Sequence, residues 1–136
     1  MRARVIIHNP QTDAVLLIHR FKNGREYWVV PGGGAQGVEL PVQTAIREIT
    51  EELQIKFKPS DLKEAFALSE DEVEQQIFFL GQVISSDAPK ISGEEAARIS
   101  ESNVYIPTWV NLADLEQLNL QPSQLTARLQ QILKIK

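Results

Sequence analysis

Three glycines and three glutamates stand close together in one stretch of the chain, VVPGGGAQGVELPVQTAIREITEELQI, from Val29 to Ile55. On a helix, Glu48, Glu51 and Glu52 share one face, because residues three and four positions apart are neighbours on its surface. Carboxylates this close repel one another strongly unless a cation lies between them. Magnesium and manganese ions prefer oxygen ligands, and Mg²⁺ is commonly bound by a few carboxylates together with substrate phosphates. The stretch therefore suggests a divalent-metal site that acts on phosphates as one explanation.

The glycines ahead of this helix, Gly32, Gly33 and Gly34, allow the backbone to turn sharply and to approach a ligand closely. On the carboxylates alone, a solvated face of a Glu-rich helix is the commoner explanation. The choice between the two depends on the elements that hold the glycines and glutamates, and on the spacing between them.

Two strands and a hairpin are predicted ahead of the glycines. Residues 2–8 and 14–21 are apolar runs rich in β-branched residues, separated by turn residues at 9–13. The run AVLLI barely alternates, which predicts that the second strand is covered on both faces. Asn23-Gly24 is the dipeptide most typical of a two-residue hairpin turn, so residues 27–30 are predicted to form the returning strand.

A helix is predicted from about Pro41 to Leu53, directly after the glycines. Proline suits the first helical position, because its missing N–H would be unpaired there in any case. Apolar residues at helical spacing predict a buried stripe opposite the glutamates, formed by Val42, Ala45, Ile46, Ile49 and Leu53.

The rest of the chain is predicted to complete a single domain over residues 1–136, because no linker composition divides it. Residues 75–83 are predicted to be a central strand. Residues 85–103 are polar and predict a long loop, and loops of this length are usually functional or disordered. The elements predicted in this part are strands at 62–69, 73–84 and Val104–Val110, a short helix at Leu112–Leu118 and a closing helix at Pro122–Ile135.

The composition argues against several classes of protein. The net charge is −4, which disfavours a nonspecific nucleic-acid surface, although a divalent cation can supply the charge needed to bind a nucleotide. There are no cysteines, so neither disulfides nor thiolate chemistry are available. The start, MRARVIIH, has too short an apolar run for a signal peptide or a membrane span. The protein is expected to be cytoplasmic, with no membrane partner.

The spacing of these residue types resembles the signature of the Nudix hydrolase family, the MutT-like hydrolases. The family pattern is Gly, five residues, Glu, seven residues, Arg-Glu, a bulky aliphatic residue, any residue, Glu-Glu, any residue, Gly and a bulky aliphatic residue. Here Gly33, Glu39 and residues 47–55 match every defined position except one, where Gln54 replaces the second Gly. A left-handed residue often ends a helix at such a place, and Gln in that conformation costs about 1 kcal/mol, unless the helix ends differently. No catalytic group is lost.

The resemblance implies an α+β Nudix fold, an α/β/α sandwich around a mixed β-sheet, over essentially the whole chain. It implies a pyrophosphohydrolase that uses Mg²⁺ or Mn²⁺ and cleaves a nucleoside di- or triphosphate-linked substrate by attack of water on phosphorus. Residues 69–73 hold neither the Pro typical of ADP-ribose hydrolases nor the Tyr typical of dinucleoside polyphosphate hydrolases. A (d)NTP, oxidised or not, is the preferred substrate. The alternatives are a nucleotide-sugar or ADP-ribose-type hydrolase, an RNA-end processing enzyme, which the acidic balance disfavours, and a non-catalytic nucleotide sensor.

The resemblance also implies roles for residues that match the family pattern. Glu48 and Glu52 are the first choices as metal ligands, with Glu51 close behind and the Gly33 carbonyl as a further ligand. Glu39 and Arg47 are expected to form an ion pair that orients the loop and the helix; a plain surface pair of Arg47 with Glu51 is the alternative. Family members are often dimers, which is compatible with a homodimer here.

Catalytic and substrate-binding residues are harder to assign. Glu48, Glu51 and Glu101 are the candidate catalytic residues, and the proton acceptor is either Glu48 or a loop carboxylate. Glu101 is preferred over Glu94 and Glu95, because it lies nearest to the strand Val104–Val110. The candidate substrate-binding residues are Trp28, Arg20, Gly32 and Gly34, with Tyr27 beside Trp28 as a second aromatic residue that could stack on a base. A core position for Trp28 is the alternative, because aromatic residues in strands usually pack.

Overall fold

The computed structural model describes residues 1–70, 74–85, 98–100 and 102–133. Its helices are α1 (Pro41–Leu53) and α2 (Leu125–Leu133), with short 3-10 helices at Pro59–Asp61 and Leu112–Gln117. Its strands are β1 (Arg2–Asn9), β2 (Ala14–Lys22), β3 (Arg25–Val29), β4 (Gly32–Gly34), β5 (Lys63–Glu70), β6 (Glu74–Gln82), β7 (Asn103–Asn111) and β8 (Leu120–Gln121).

The strands form one mixed sheet in the order β5-β6-β1-β2-β3-β8. Strand β6 runs parallel to β1 and β8 runs parallel to β3, whereas β2 is antiparallel to β1, β3 and β7. The glycine strand β4 pairs with the first half of β1, and β7 pairs with β2 along its whole length. Strand β6 is flanked by β1 and β5, and Ile77, Phe78 and Phe79 in its middle are buried, as expected of a central strand.

The two faces of the sheet carry separate hydrophobic clusters, one under each helix. Helix α1 packs Ala45, Ile49 and Leu53 onto one face, and α2 packs Leu125 and Leu129 onto the other. Because successive strand residues point to opposite faces, β2 contributes to both clusters. Its contributions are Leu16 and Ile18 under α1, and Val15 and Leu17 under α2. The prediction that this strand is covered on both faces is therefore confirmed.

The predicted elements agree with the structure except in a few places. Helix α1 has the predicted bounds, while the closing helix begins at Leu125 instead of Pro122. The glycine segment, predicted as a loop, forms strand β4, because a chain without side chains can pair closely with β1 beneath α1. The short strand β8 was not predicted. Residues 71–73, which include most of the predicted turn, and residues 86–97 and 101 of the predicted loop lie outside the described residues.

In the described part of the chain, neither helix has the length and apolar character that crossing a membrane requires.

Candidate active site

Glycine is required in β4 because helix α1 and strand β1 approach it closely. A Cβ atom on Gly33 would lie 2.6 Å from both carboxylate oxygens of Glu48. A Cβ atom on Gly32 would run into the carbonyl of Ala3, and the φ of Gly32 is +155°, a conformation that favours glycine. The glycines therefore place the β4 backbone directly against the Glu48 carboxylate.

Arg47 ties the loop, the glycine strand and the helix together. Its Nε and Nη2 donate to the two carboxylate oxygens of Glu39 at 2.8 and 3.0 Å, and Nη2 also donates to the Gly34 carbonyl at 2.9 Å. Its Nη1 donates to Oε1 of Glu48 at 3.0 Å and to Oε2 of Glu51 at 3.3 Å. A two-point arginine–carboxylate contact is strong and directional. The observed contacts therefore include both the orienting pair with Glu39 and the alternative surface pair with Glu51.

The Glu39 carboxylate is held in its charged form. Hydrogen bonds from Arg47 and then from the Gln36 N–H lower the pKa of Glu39 from 4.5 to about 2, against the smaller opposing effect of burial. The same hydrogen bond from Arg47 to Glu39 raises the pKa of the guanidinium. Thr44 also donates its hydroxyl to Glu39, at 3.1 Å. The pair therefore stays ionised throughout the neutral and mildly acidic range.

Helix α1 keeps a regular end although the family's second Gly is missing. Gln54 adopts the left-handed conformation, with φ of 58°, and its N–H donates to the Thr50 carbonyl at 3.1 Å. A glycine would adopt this conformation with less strain, but the path of the chain is preserved.

A cavity of about 190 Å³, here called the acid cavity, lies where β4 meets α1. The side chain of Glu48 is 15% exposed and that of Glu51 is 55% exposed. Arg47 donates to Oε1 of Glu48, and Oε2 has no hydrogen-bond partner among the described residues. The residues lining the acid cavity are the glycines of β4, Glu48, Glu51, Glu52, Gln36, Arg2, Arg47 and Arg98.

A second cavity of about 400 Å³, here called the basic cleft, adjoins the acid cavity and shares Arg2, Gly32, Glu52 and Arg98 with it. Five of the residues lining the basic cleft are cationic: Arg2, Arg4, Arg20, Lys22 and Arg98. Tyr27 and Tyr105 contribute aromatic surface. An anionic group that leaves the acid cavity therefore enters a surface rich in positive charge.

Arg20 is fixed in the basic cleft by its neighbours in the sheet. It is paired with Tyr27 on β3 and Tyr105 on β7, so all three side chains lie on one face. The guanidinium carbon lies 3.6 Å from the centre of the Tyr105 ring, and Nη2 donates to Asn103 at 3.0 Å. These contacts restrict the side chain before any ligand binds.

The family model of the NUDIX domain matches residues 1–129. The chain belongs to the Nudix family. As a Nudix hydrolase it acts on phosphorus-containing acid anhydrides, and it has the α+β Nudix fold that the sequence predicted. No curated protein sequence matches the chain.

Solved structures with the Nudix fold resemble the chain over nearly its whole length. An Ap4A hydrolase of C. elegans in a binary complex is 19% identical, with 97% of this chain and 95% of that chain covered and a TM-score of 0.69. A MutT structure from work on Aliivibrio salmonicida and Vibrio cholerae is 19% identical, with 98% and 96% covered and a TM-score of 0.67. A NUDIX-family hydrolase of Clostridium perfringens is 19% identical, with 98% and 97% covered and a TM-score of 0.67. At such identities the likeness shows the fold alone.

The acid cavity has donors that suit a divalent metal, which Nudix hydrolases generally need. Glu48, Glu51 and Glu52 offer carboxylate oxygens, and Gly33 lines the same cavity. Within the described ranges, no three acidic or imidazole side chains are already gathered closely enough to enclose a metal ion. This arrangement fits Mg²⁺, which usually takes one or two carboxylates and completes its shell with water and substrate phosphates.

Trp28 does not line the acid cavity or the basic cleft. It is 8% exposed, belongs to the cluster under α2, and stacks on His19 with ring centres 4.0 Å apart. The assignment of Trp28 to substrate binding is therefore corrected, and the alternative core position is observed. Because strand residues alternate, the side chain of the preceding residue, Tyr27, faces the basic cleft instead.

Some of the remaining predicted site residues line a cavity, and others lie outside the described residues. Gly32 and Gly34 line the acid cavity, and Arg20 lines the basic cleft. The candidate catalytic residue Glu101, with Glu94 and Glu95, lies outside the described residues. Sequence reasoning missed Arg2, Arg4, Arg98 and Tyr105. Only the pairing of β1 with β4 brings Arg2 and Arg4 to the glycines, and only the pairing of β2 with β7 places Tyr105 beside Arg20.

Proposed function

We propose that this Nudix hydrolase cleaves a (deoxy)nucleoside triphosphate, oxidised or not, by attack of water on phosphorus with Mg²⁺ or Mn²⁺. The observation that carries the proposal is the continuity of the two cavities. Carboxylates that suit a divalent cation lie in the acid cavity, and the basic cleft opens from it through shared residues. A polyphosphate needs both, because its phosphates carry more negative charge than one metal site neutralises.

The residues have distinct roles in this proposal. A bound divalent cation would neutralise phosphate oxygens and lower the pKa of the attacking water. Glu48 and Glu52 would hold it, with Glu51 and the Gly33 carbonyl as further oxygen donors. Arg47 contacts the Glu48 carboxylate through Oε1, so Oε2 would be available to a metal ion or a proton. The proton acceptor is Glu48 or Glu101, and Arg20 with Arg2 binds phosphate oxygens in the basic cleft.

The cationic basic cleft favours a triphosphate over a nucleotide sugar or ADP-ribose. A neutral sugar offers no negative charge to the cations of the cleft, whereas additional phosphates do. The presence of Glu48, Glu51 and Glu52 together favours an enzyme over a nucleotide sensor, because a protein that only binds a nucleotide has less need of a complete set of metal ligands. A homodimer stays a prediction, and sedimentation equilibrium would test it.

The proposal is tested by a hydrolysis screen at pH 8 with Mg²⁺ or Mn²⁺, with and without EDTA, in which the products are separated by chromatography. The substrates are NTPs, dNTPs, 8-oxo-dGTP, ADP-ribose, nucleotide sugars and dinucleoside polyphosphates. We expect a nucleoside triphosphate to be hydrolysed, and we expect EDTA to abolish this hydrolysis. Preference for a nucleotide sugar or ADP-ribose would overturn the substrate class, and binding without hydrolysis of any compound would support the sensor.

A further inference from the structure

A third cavity, of about 320 Å³, continues from the basic cleft and is here called the amide pocket. It shares Arg4, Tyr27 and Val29 with the basic cleft, and the side-chain amides of Gln76 and Gln121 line its wall. The three cavities therefore lie in series, from carboxylates to cations to amides. A nucleoside triphosphate whose phosphates occupy the acid cavity and the basic cleft would extend its sugar and base toward the amide pocket.

The orientation of the Gln76 amide is determined by its neighbour. Gln76 is 9% exposed, and its Oε1 accepts a hydrogen bond from Nε of Arg4 at 2.6 Å. A guanidinium has donors and no acceptor, so the amide oxygen must face Arg4 and the amide nitrogen must face away from it. The nitrogen has no hydrogen-bond partner in the described part of the chain. Because Gln76 lines the amide pocket, this nitrogen can donate to a ligand that supplies an acceptor.

The Gln121 amide is oriented by a chain of two contacts. Nδ2 of Asn119 donates to the Glu26 backbone carbonyl at 3.2 Å, which leaves Oδ1 of Asn119 as an acceptor. Nε2 of Gln121 donates to that oxygen at 2.7 Å. The carbonyl oxygen of Gln121 is therefore the acceptor that this side chain can offer. With Arg25 also on its wall, the amide pocket holds more donors than acceptors.

We infer that the amide pocket binds the base of the substrate and that Gln76 selects guanine over adenine. Guanine offers two neighbouring acceptors, O6 and N7, whereas adenine presents the N6 amino donor beside N7. The donors of Gln76 and Arg25 match the guanine edge, and the Gln121 carbonyl can accept from a ring N–H. An adenine amino group would instead meet the Gln76 donors. This inference rests on the proposed nucleotide substrate.

The substitution Gln76→Glu tests the inference, because it replaces the amide nitrogen by an oxygen of nearly the same size. Nε of Arg4 can still donate to the carboxylate, so the side chain keeps its place. The donor to O6 is lost and an acceptor takes its position. We expect wild type to show higher kcat/KM for GTP than for ATP, and the variant to lower that ratio roughly 10- to 100-fold.

Gln75→Glu is the matched control, since it makes the same change on the neighbouring residue of β6, which is exposed and points to the opposite face. Thermal unfolding of both variants checks that they fold. Equal kcat/KM of wild type for GTP and ATP, or a GTP/ATP ratio that Gln76→Glu leaves unchanged, would overturn the inference while the proposed function stands.

Failure of the proposed function is recognised separately. If wild type hydrolyses neither nucleotide, calorimetric titration of wild type and Gln76→Glu with GDP and with ADP decides the inference without turnover. Tighter binding of GDP than ADP by wild type, lost in the variant, supports it. The inference is refuted if wild type binds GDP and ADP equally tightly. It is also refuted if wild type and Gln76→Glu bind GDP equally tightly.

Discussion

The two faces of the sheet bury similar apolar side chains but differ in where charged side chains lie. On the α2 face, Trp28 belongs to the apolar cluster and stacks on His19. Under α1, the next residue, Arg20, lies beside Tyr105 in the wall of the basic cleft. Neighbouring residues of one strand therefore serve a core and a binding surface, because their side chains point to opposite faces.

The difference between the faces arises from how closely the backbone approaches each helix. The α1 face has β4, a strand of glycines that brings backbone against the Glu48 carboxylate. Charges there are held by a network centred on Arg47. The α2 face is filled by side chains such as Leu115, Leu125 and Leu129. Variants that remove charge from each face in matched pairs should separate function from stability.

Glu52→Gln should have the largest effect, because it removes the charge of a proposed metal ligand without changing the shape of the side chain. We expect kcat to fall at least about 100-fold with little change in thermal stability. The matched control is Glu116→Gln in the 3-10 helix at Leu112–Gln117, where Glu116 accepts from Gln130 at 3.2 Å. Steady-state kinetics with Mg²⁺ measures both. Wild-type turnover by Glu52→Gln would refute the site assignment.

Gly33→Ala should come next, because the added methyl group would overlap the Glu48 carboxylate. We expect roughly a 10- to 100-fold loss of kcat/KM as Glu48 is displaced. Gly34→Ala adds the same methyl one residue on, where no heavy atom of the described residues other than its chain neighbours lies within 4 Å, and should cost much less. Kinetics and urea unfolding of the two variants are compared. Equal losses would show that the close approach to Glu48 is not what matters.

Arg20→Ala should raise KM for a triphosphate about tenfold, because a charge-assisted hydrogen bond to phosphate is lost. Arg128→Ala is the matched control, since it removes the same charge from α2. Like Arg20, Arg128 lies near an aromatic ring, with its guanidinium carbon 5.2 Å from the centre of the Phe66 ring. Arg128→Ala should leave KM unchanged. If the two variants change KM alike, the effect reflects net charge and not the basic cleft.

Glu39→Gln should have the smallest effect on turnover at neutral pH and a clear effect on acid stability. The pKa of Glu39 is about 2 in the folded protein and 4.5 ordinarily, so its stabilisation is fully present above pH 4.5. It is lost as pH falls through the folded value. Urea unfolding between pH 5 and about pH 2 should therefore show a shallower loss of stability for the variant than for wild type. Identical pH profiles would mean that the Arg47 contact does not form in solution.

Local patterns were sufficient for the parts of the site that lie on one element. Helix α1 has the predicted bounds, because Pro41 begins it and its apolar stripe is periodic. Glu48, Glu51 and Glu52 line one cavity, because their spacing puts them on one face of that helix. The contact of Arg47 with Glu39 follows from family spacing that the chain preserves.

Long-range pairing decided the rest. Arg20 and Asn103 are 83 residues apart in the chain, and only the antiparallel pairing of β2 with β7 brings them and Tyr105 together. The face to which Trp28 points depends on the register of β3 in the sheet, which the run YWVV does not encode by itself. The sequence alone therefore determined the helix and its glutamates through local periodicity. The tertiary structure decided which strand residues face them, because register is set by packing between distant segments.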